Sequence, residues 1–531
     1  MRKCAACKSC SAFFLEEYFQ GNTMIKVQKK IFKIFFAAAF LSVFTIFFSC
    51  VSSSKLSGLA LKNAITIQAE DGGLYGVDEE SEIKGFNGTS YVKFSSVNEG
   101  SVLEFYADVE KEGDYCIFLR IFTEIQEEDF RRPIRMQLEQ GEKIIASQRL
   151  MESGKFVNIQ VNAVSHLQSG SNVFYLSSLG GEFLVDEISF VQSDENYISN
   201  ITPSNKLSNP KASKNAQALF NYLVTLPGNG ILSGQQIYNR SQPEIKAIYQ
   251  TTGKYPALLG IDLIDYSPSR VQHGTKGVVA ANAIKWWKEG GIVSVCWHWN
   301  APNGLIDKNE PYKHWYDGFR PSATTFDFAT ALNNPDSQNY KDLIRDIDAI
   351  AVPLKQMAEA GVPVLWRPLH EASGGWFWWG ASGSDSYIKL YHLLYDRLTN
   401  YHKLNNLIWV WNGQDPEWYP GDEYVDMITY DSYPGPHKHI TQETILSQLR
   451  SASYCPKLMA ISENGSLPDV NAIAENKIPW IAFCTWDGEF AVNKKNDYSE
   501  SYTSKEVLLD YYSNPYLITR DELPDLNVEK N

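Results

Sequence analysis

Between about residue 230 and residue 490 the chain repeats one pattern: a short apolar run of strand character, a polar or aromatic residue where it stops, and then a connecting stretch. Eight such runs stand at 231–236, 257–262, 292–298, 364–367, 407–411, 427–431, 458–463 and 480–486. Uninterrupted apolar runs are what strands covered on both faces look like, and parallel strands need long crossovers, usually helical. The connections supply that period. Leu343, Ile347, Ile350, Leu354 and Met357 fall on one helix face, with Gly361 as the stop and Pro353 expected to kink the helix. Eight units in about 300 residues predict a (β/α)8 barrel, where strand C-terminal ends and the loops after them carry the chemistry.

Reading only those ends gives Gln235 and Gln236, Asp262, His298 and Asn300, His370 and Glu371, Asn412, Asp431 and Tyr433, Glu463, and Trp486 with Asp487. The run Val364-Leu-Trp-Arg367 stops just before His370 and Glu371, and a glycine-rich loop with Trp376, Phe377, Trp378 and Trp379 follows. Flat aromatic faces there suit sugar rings; the competing reading is an Arg367–Glu371 ion pair beside a tryptophan-filled core. Glu371 after the fourth strand and Glu463 at the end of the seventh face each other across the mouth. Retaining glycosidases need two carboxyls about 5–5.5 Å apart, one protonated and one ionised. Other templates are missing: His370-Glu371 lacks the second histidine of a zinc-protease helix, and neither a phosphate loop nor a nucleophile elbow occurs in its strand-to-helix setting. A net charge of -14 argues against a nucleic-acid partner and fits a neutral polymer.

Ahead of the barrel the pattern is different. From 61 to 193 short alternating runs dominate, such as 101–109, 114–122, 171–176 and 182–191, and Tyr115, Ile117, Leu119 and Ile121 share one face. Many strands without helical period predict an all-β jelly-roll sandwich. Residues 194–212, with Pro203 and Pro210, read as a linker or collar, and 213–520 as the barrel.

Lys29, Lys30 and Lys33 precede an uncharged run from Ile34 to Phe48 that ends at Ser49-Cys50. That is a basic n-region and an h-region too short for a comfortable membrane span. Residues 24–50 resemble a bacterial lipoprotein signal with Cys50 as the lipidated residue, although Phe47 and Phe48 depart from the usual residues before that cysteine. The expected location is the cell surface or outer membrane, or outside the cell if the lipidation site is not used, with the lipid as the membrane contact and a monomeric soluble part. Residues 1–23 read as an extension from a start codon placed too early, so the spacing of Cys4, Cys7 and Cys10 is not taken as a metal motif. Cys116, Cys296, Cys455 and Cys484 are too scattered for a disulfide framework, and Cys296 and Cys484 fall in barrel strands as small hydrophobes.

Two resemblances rest on these residues. Arg367-Pro-Leu-His-Glu371, Gly375-Trp-Phe-Trp-Trp379 and Ile461-Ser-Glu-Asn-Gly465 resemble glycoside hydrolase family 26, best known for endo-β-1,4-mannanases. The likeness implies Glu371 as acid/base and Glu463 as nucleophile, with Tyr433 donating to the nucleophile. It also implies His298, Arg367 and His370 lining the cleavage subsite and Trp376 and Trp486 as stacking platforms. The implied substrate is a β-mannan-type polysaccharide, with no cofactor for catalysis; a β-1,3-xylanase, a mixed-linkage glucanase or a non-catalytic glycan-binding surface protein stand as alternatives. Ile67-Gln-Ala-Glu-Asp71, Gly85-Phe-Asn-Gly-Thr-Ser-Tyr91 and Val185-Asp-Glu-Ile-Ser189 resemble carbohydrate-binding modules of family 35, which implies a structural calcium held by Glu70 and Asp186.

If Cys50 carries the lipid, the wild-type protein partitions into the membrane fraction and Cys50→Ala releases it to the soluble fraction. Equal membrane retention of the two proteins rejects the anchor.

Overall fold

The computed structural model describes residues 64–529 apart from 96–99, 124–133, 142, 151–153, 193–202, 204, 451 and 454–455. The expected signal at 24–50 with Cys50, the cysteines Cys4, Cys7, Cys10 and Cys455, and most of the linker lie outside the described residues.

Eleven strands build the N-terminal unit: β1 (Ile65–Gln68), β2 (Gly73–Tyr75), β3 (Asp78–Glu80), β4 (Tyr91–Phe94), β5 (Val102–Val109), β6 (Gly113–Phe122), β7 (Arg135–Gln140), β8 (Lys143–Arg149), β9 (Val157–Leu167), β10 (Gly170–Gly180) and β11 (Phe183–Gln192). They form two antiparallel sheets, one ordered β3-β4-β11-β6-β9 with β1 also on β11, the other β2-β5-β10-β7-β8. Alternation in each strand puts one apolar set inward. Tyr115, Ile117, Leu119 and Ile121 are all buried, as their shared face predicts. Phe105 and Phe174 of the second sheet stack at 5.4 Å, and Phe190 of the first closes on them at 6.3 and 5.1 Å, so the inner faces share one core. Such ring pairs add about 0.5–1.5 kcal/mol beyond burial. Strand β11 carries a bulge between Val185 and Glu187. The extra residue is Asp186, which this irregularity leaves fully buried.

The second unit is a closed parallel barrel. Its strands are β12 (Ile231–Leu232) continued as β13 (Gly234–Gln236), β14 (Leu258–Asp262), β15 (Ile292–Trp297), β16 (Val364–Pro368), β17 (Leu407–Trp411), β18 (Met427–Ser432), β19 (Leu458–Asn464) and β20 (Trp480–Thr485). Each pairs with the next, and Gln235 of β13 lies opposite Thr485 of β20, which closes the ring. Closure needs Gly234: a Cβ there would come within 2.3 Å of the Phe483 carbonyl oxygen. A short β21 (Leu517–Ile518) joins β12 from outside. Runs such as β17 are buried at every residue, as strands covered on both faces require.

Helices α1 (Lys214–Leu223), α2 (Pro243–Thr252), α3 (Ala280–Lys288), α4 (Gln338–Glu359), α5 (Ser384–Tyr395), α6 (Glu443–Arg450), α7 (Val470–Glu475) and α8 (Lys505–Ser513) surround the strands. Helix α4 buries Leu343, Ile347, Ile350, Leu354 and Met357 and continues through Pro353 to Glu359. Gly361, with φ +72°, follows its end. The β17–β18 connection holds only a short 3-10 turn at Pro416–Trp418. The described end of the expected linker behaves as a collar: Leu207 is buried in the barrel's core, and the Ser208 amide donates to Asp426. Cys296 and Cys484 are buried free thiols.

Candidate active site

Strands β14 to β20 aim their last residues into one mouth, and its centre is Arg367 on β16. The guanidinium is 2% exposed and reaches two carboxylates, Asp431 Oδ2 of β18 through Nη1 at 3.0 Å and Glu463 Oε1 of β19 through Nη2. A bulge in the β18–β19 pairing sets Asp431 opposite Glu463. Each of the other two carboxylate oxygens also finds a donor. Tyr433 Oη donates to Glu463 Oε2 at 2.7 Å, while Asn412 Nδ2 and Ser462 Oγ donate to Asp431 Oδ1 at 2.9 and 2.6 Å. The expected alternative of an Arg367–Glu371 pair is corrected here: Arg367 is committed to β18 and β19, its neighbours across the barrel mouth.

Glu371 is positioned by backbone instead. Leu369 and Glu371 both take left-handed backbone with φ 52°, a conformation that a bulky residue adopts only when its surroundings impose it. The Glu371 amide donates to the Asn412 carbonyl at 2.6 Å and to its Oδ1 at 3.1 Å. The carboxylate accepts from Trp376 Nε1 at 2.8 Å and from Gln414 Nε2 at 3.3 Å. Glu371, Asp431 and Glu463 each offer an oxygen within 4.8 Å of the others. That is the close spacing of a double displacement, well short of the 6.5–9.5 Å that an intervening water demands.

Burial first, and then the charge of Asp431, push Glu463 up to about 7; Arg367 and the Tyr433 hydroxyl pull the other way. Asp431 is pushed up to about 7 chiefly by burial, with Arg367 opposing. Glu371 is raised by burial and by the charge of Glu463. Opposing them, the Trp376 N–H bonds the carboxylate and lowers its pKa.

His298 donates from Nδ1 to Asp262 Oδ2 at 2.6 Å, and its Nε2 lies 3.2 Å from His370 Nε2. Trp486 stands edge-to-face with His298 at 5.9 Å. Thus Glu371, Glu463, His298, Arg367, His370, Trp376, Tyr433 and Trp486 come together in one mouth. The loop aromatics divide: Trp376 is 46% exposed, whereas Phe377, Trp378 and Trp379 are buried against Trp299 and His370 and belong to the core. Sequence reading gave no role to Gln414, and it placed Asp262 and Asp431 at strand ends without their partners. Those partners lie 36 and 64 residues away, visible only once the strands are side by side.

In the N-terminal unit Glu70 and Asp186 meet one loop. Asp186 accepts from the Asn87 amide at 3.0 Å and from Arg120 Nε at 2.6 Å. Glu70 Oε1 accepts from the Thr89 and Ser90 amides at 3.0 and 3.2 Å. Two buried oxygens in this corner, Gln68 Oε1 and Glu70 Oε2, have no partner in the protein. A Cβ on Gly88 would come within 2.5 Å of Gln68 Oε1 and 2.6 Å of Glu70 Oε1, so the glycine keeps the oxygens uncovered. An all-oxygen donor set of this kind fits calcium.

Comparison with known proteins matches the model of glycosyl hydrolase family 26 to residues 208–522. A mannan endo-1,4-beta-mannosidase of Thermothelomyces thermophilus is 40% identical over 465 residues, covering 87% of this chain and 91% of that protein. Mannan endo-1,4-beta-mannosidase A of Piromyces sp. is 32% identical, covering 88% and 74% respectively. Among solved structures, the Podospora anserina GH26-CBM35 beta-(1,4)-mannanase superposes with a TM-score of 0.58 at 36% identity, over 87% of this chain and 99% of that one. A beta-mannanase from a symbiotic protist of the termite Reticulitermes speratus, complexed with gluco-manno-oligosaccharide, gives 0.52 at 32% identity over 61% and 99%.

Removing Arg367 as Arg367→Met leaves two buried carboxylates facing each other without their cation, a change expected to cost about 3–5 kcal/mol in denaturant melts at neutral pH. Without the guanidinium both folded-state pKa values rise further above their unfolded values. Stability they retain at low pH is therefore lost as pH rises through the folded pKa, and the deficit grows from pH 5 to pH 8. Adding Asp431→Asn removes one of the opposed charges and should recover part of the loss. A deficit independent of pH would show that the cost is packing alone.

Proposed function

The chain belongs to glycosyl hydrolase family 26, and from that membership we infer that it hydrolyses internal β-1,4-mannosidic bonds of mannan, galactomannan or glucomannan with retention of configuration. The observation that carries this reading is the Glu371–Glu463 pair, with oxygens within 4.8 Å of each other at the mouth of a closed barrel. Glu463, oriented by Arg367 and Tyr433, attacks the anomeric carbon. Glu371, protonated by virtue of its burial and its anionic neighbour, gives its proton to the departing glycosidic oxygen as that bond breaks. The glycosyl group is then held as an ester on Glu463. Glu371, now ionised, takes a proton from water as the water attacks the same carbon, and Glu463 leaves with its charge restored. His298, Arg367 and His370 line the subsite of the reacting sugar, and Trp376 and Trp486 offer ring faces. The reaction needs no cofactor.

The N-terminal unit is read as a jelly-roll glycan-binding module that keeps the catalytic barrel near its polymer, with calcium held by Glu70, Asp186 and Gln68. Two partnerless buried oxygens and the open corner at Gly88 support the metal. Lipidation at Cys50 would set this activity at the cell surface.

Replacing the acid and the nucleophile separates their roles. Glu463→Ala is expected to abolish turnover on every substrate, because no ester forms. Glu371→Ala is expected to lose about 100- to 10,000-fold on mannan and far less on an aryl β-mannoside whose leaving group needs no proton. On that substrate the ester accumulates and azide releases it as the β-azide. Retained aryl-mannosidase activity in Glu463→Ala with loss in Glu371→Ala reverses the assignment, and an inverted first product anomer in wild type rejects double displacement. Reducing-sugar release on galactomannan, glucomannan, β-1,3-xylan and lichenan decides the substrate.

Chelation tests the module. Adding EDTA to the full chain should lower the melting transition of the sandwich and excess calcium should restore it, since a ligand bound only to the folded state stabilises it. Identical melts with and without chelator reject the metal.

A further inference from the structure

The turn that carries Glu371 is tied to the start of the β17–β18 connection at three successive residues. The Glu371 amide donates to Asn412, the Ser373 amide to the Gly413 carbonyl at 3.4 Å, and Gln414 Nε2 to Glu371 Oε1 at 3.3 Å. The stretch that follows is stiff. Gln414 keeps left-handed backbone with φ 64°, Asp415 Oδ1 accepts the Glu417 amide at 2.9 Å, and Pro416–Trp418 closes a single 3-10 turn. Pro416 is buried, and Trp418 stands edge-to-face with Tyr387 at 5.5 Å. A displacement at 417 therefore has little slack to absorb it before 414.

Glu417 reaches out of the barrel. Its Oε1 accepts from Nη1 of Arg135, on strand β7 of the sandwich, at 3.1 Å. Met136 and Leu138 point into the sandwich core, so alternation sends Arg135 to the opposite face. An arginine there is ordinarily solvated, yet this one is 8% exposed. Helix α6 also lies against β8, the strand next to β7, and against β9, so the sandwich bears on the barrel beyond this one ion pair. The pair ends one turn away from a hydrogen-bond donor to the acid/base.

We propose that Arg135 is a positioning residue for the reaction: by holding Glu417 it fixes the turn from which Gln414 reaches Glu371. The sandwich then helps to set the acid/base in addition to keeping the polymer near. This rests on the glycosidase reading above, because what is positioned is the group that protonates the leaving oxygen. Placement of an acid matters most when the leaving group is poor. A sugar hydroxylate needs the proton as the bond breaks, whereas a dinitrophenolate departs without it. Loosening the turn should slow the first reaction and spare the second.

The test compares, in the full chain, kcat/KM on mannopentaose with kcat/KM on a dinitrophenyl β-mannobioside. Both substrates are short and soluble, so tethering to a polymer does not enter, and the ratio within one sample cancels any loss of folded protein. In Arg135→Met and in Glu417→Ala the mannopentaose-to-aryl ratio is expected to fall by about 10- to 100-fold. Arg135→Lys keeps a charge at a site that uses one guanidinium nitrogen, and its ratio should stay within about threefold of wild type. An unchanged ratio in the first two variants, whether both activities hold or both drop together, overturns the proposal. So does a fall in Arg135→Lys as deep as in Arg135→Met, which would assign the effect to shape and not to the ion pair. A wild type inert on both substrates rejects the glycosidase reading itself, and the proposal with it.

Discussion

A single buried guanidinium governs this barrel mouth. Arg367 has almost no solvent, so its charge is tolerable only because Asp431 and Glu463 stand on either side of it. Those two carboxylates repel each other and are in turn tolerable only because of Arg367 and the ring of donors from Asn412, Ser462 and Tyr433. No member can be removed without exposing the others. The requirement reaches into the sheet, because the residues come from β16, β18 and β19, and the bulge between β18 and β19 brings the two acids level. Precise placement of Glu463 is a by-product of solving this electrostatic problem.

The same physics recurs in the N-terminal unit at smaller scale. Asp186 is buried by a bulge, and its charge is met by Arg120 and by the Asn87 amide. In both places an irregularity in a β-ladder turns an acid inward, and a loop or a neighbouring strand supplies the donors.

The strand ends were readable from sequence because a parallel barrel forces it: an apolar run buried on both faces must stop where it meets solvent, and the first polar residue marks the rim. Glu371, Glu463 and Tyr433 stood out for that reason. Pairings were not readable, since Arg367 chooses partners through sheet order and its local neighbour Glu371 is turned away by the backbone at Leu369 and Glu371. Nor was the division of the aromatic loop. Trp376 and Trp378 are the same residue type two positions apart, and only the turn that tucks Trp378 under Trp299 makes one a surface and the other core. The sandwich strands were legible by alternation, whereas the Gln68 oxygen became conspicuous only when the Gly88 corner was seen around it.

Leu369 and Glu371 keep a left-handed backbone that each would avoid in a free chain, at a cost of about 1–3 kcal/mol apiece. The catalytic mouth is therefore spring-loaded: one Glu371 amide, shared between two oxygens of Asn412, holds Glu371 against a backbone that would rather relax. A glycine at 369 would forfeit a buried leucine and cost more than the tension it released, whereas a glycine at 371 would relax the turn and remove the carboxyl it aims. Selection for thermal robustness and selection for turnover therefore pull in opposite directions at this one residue.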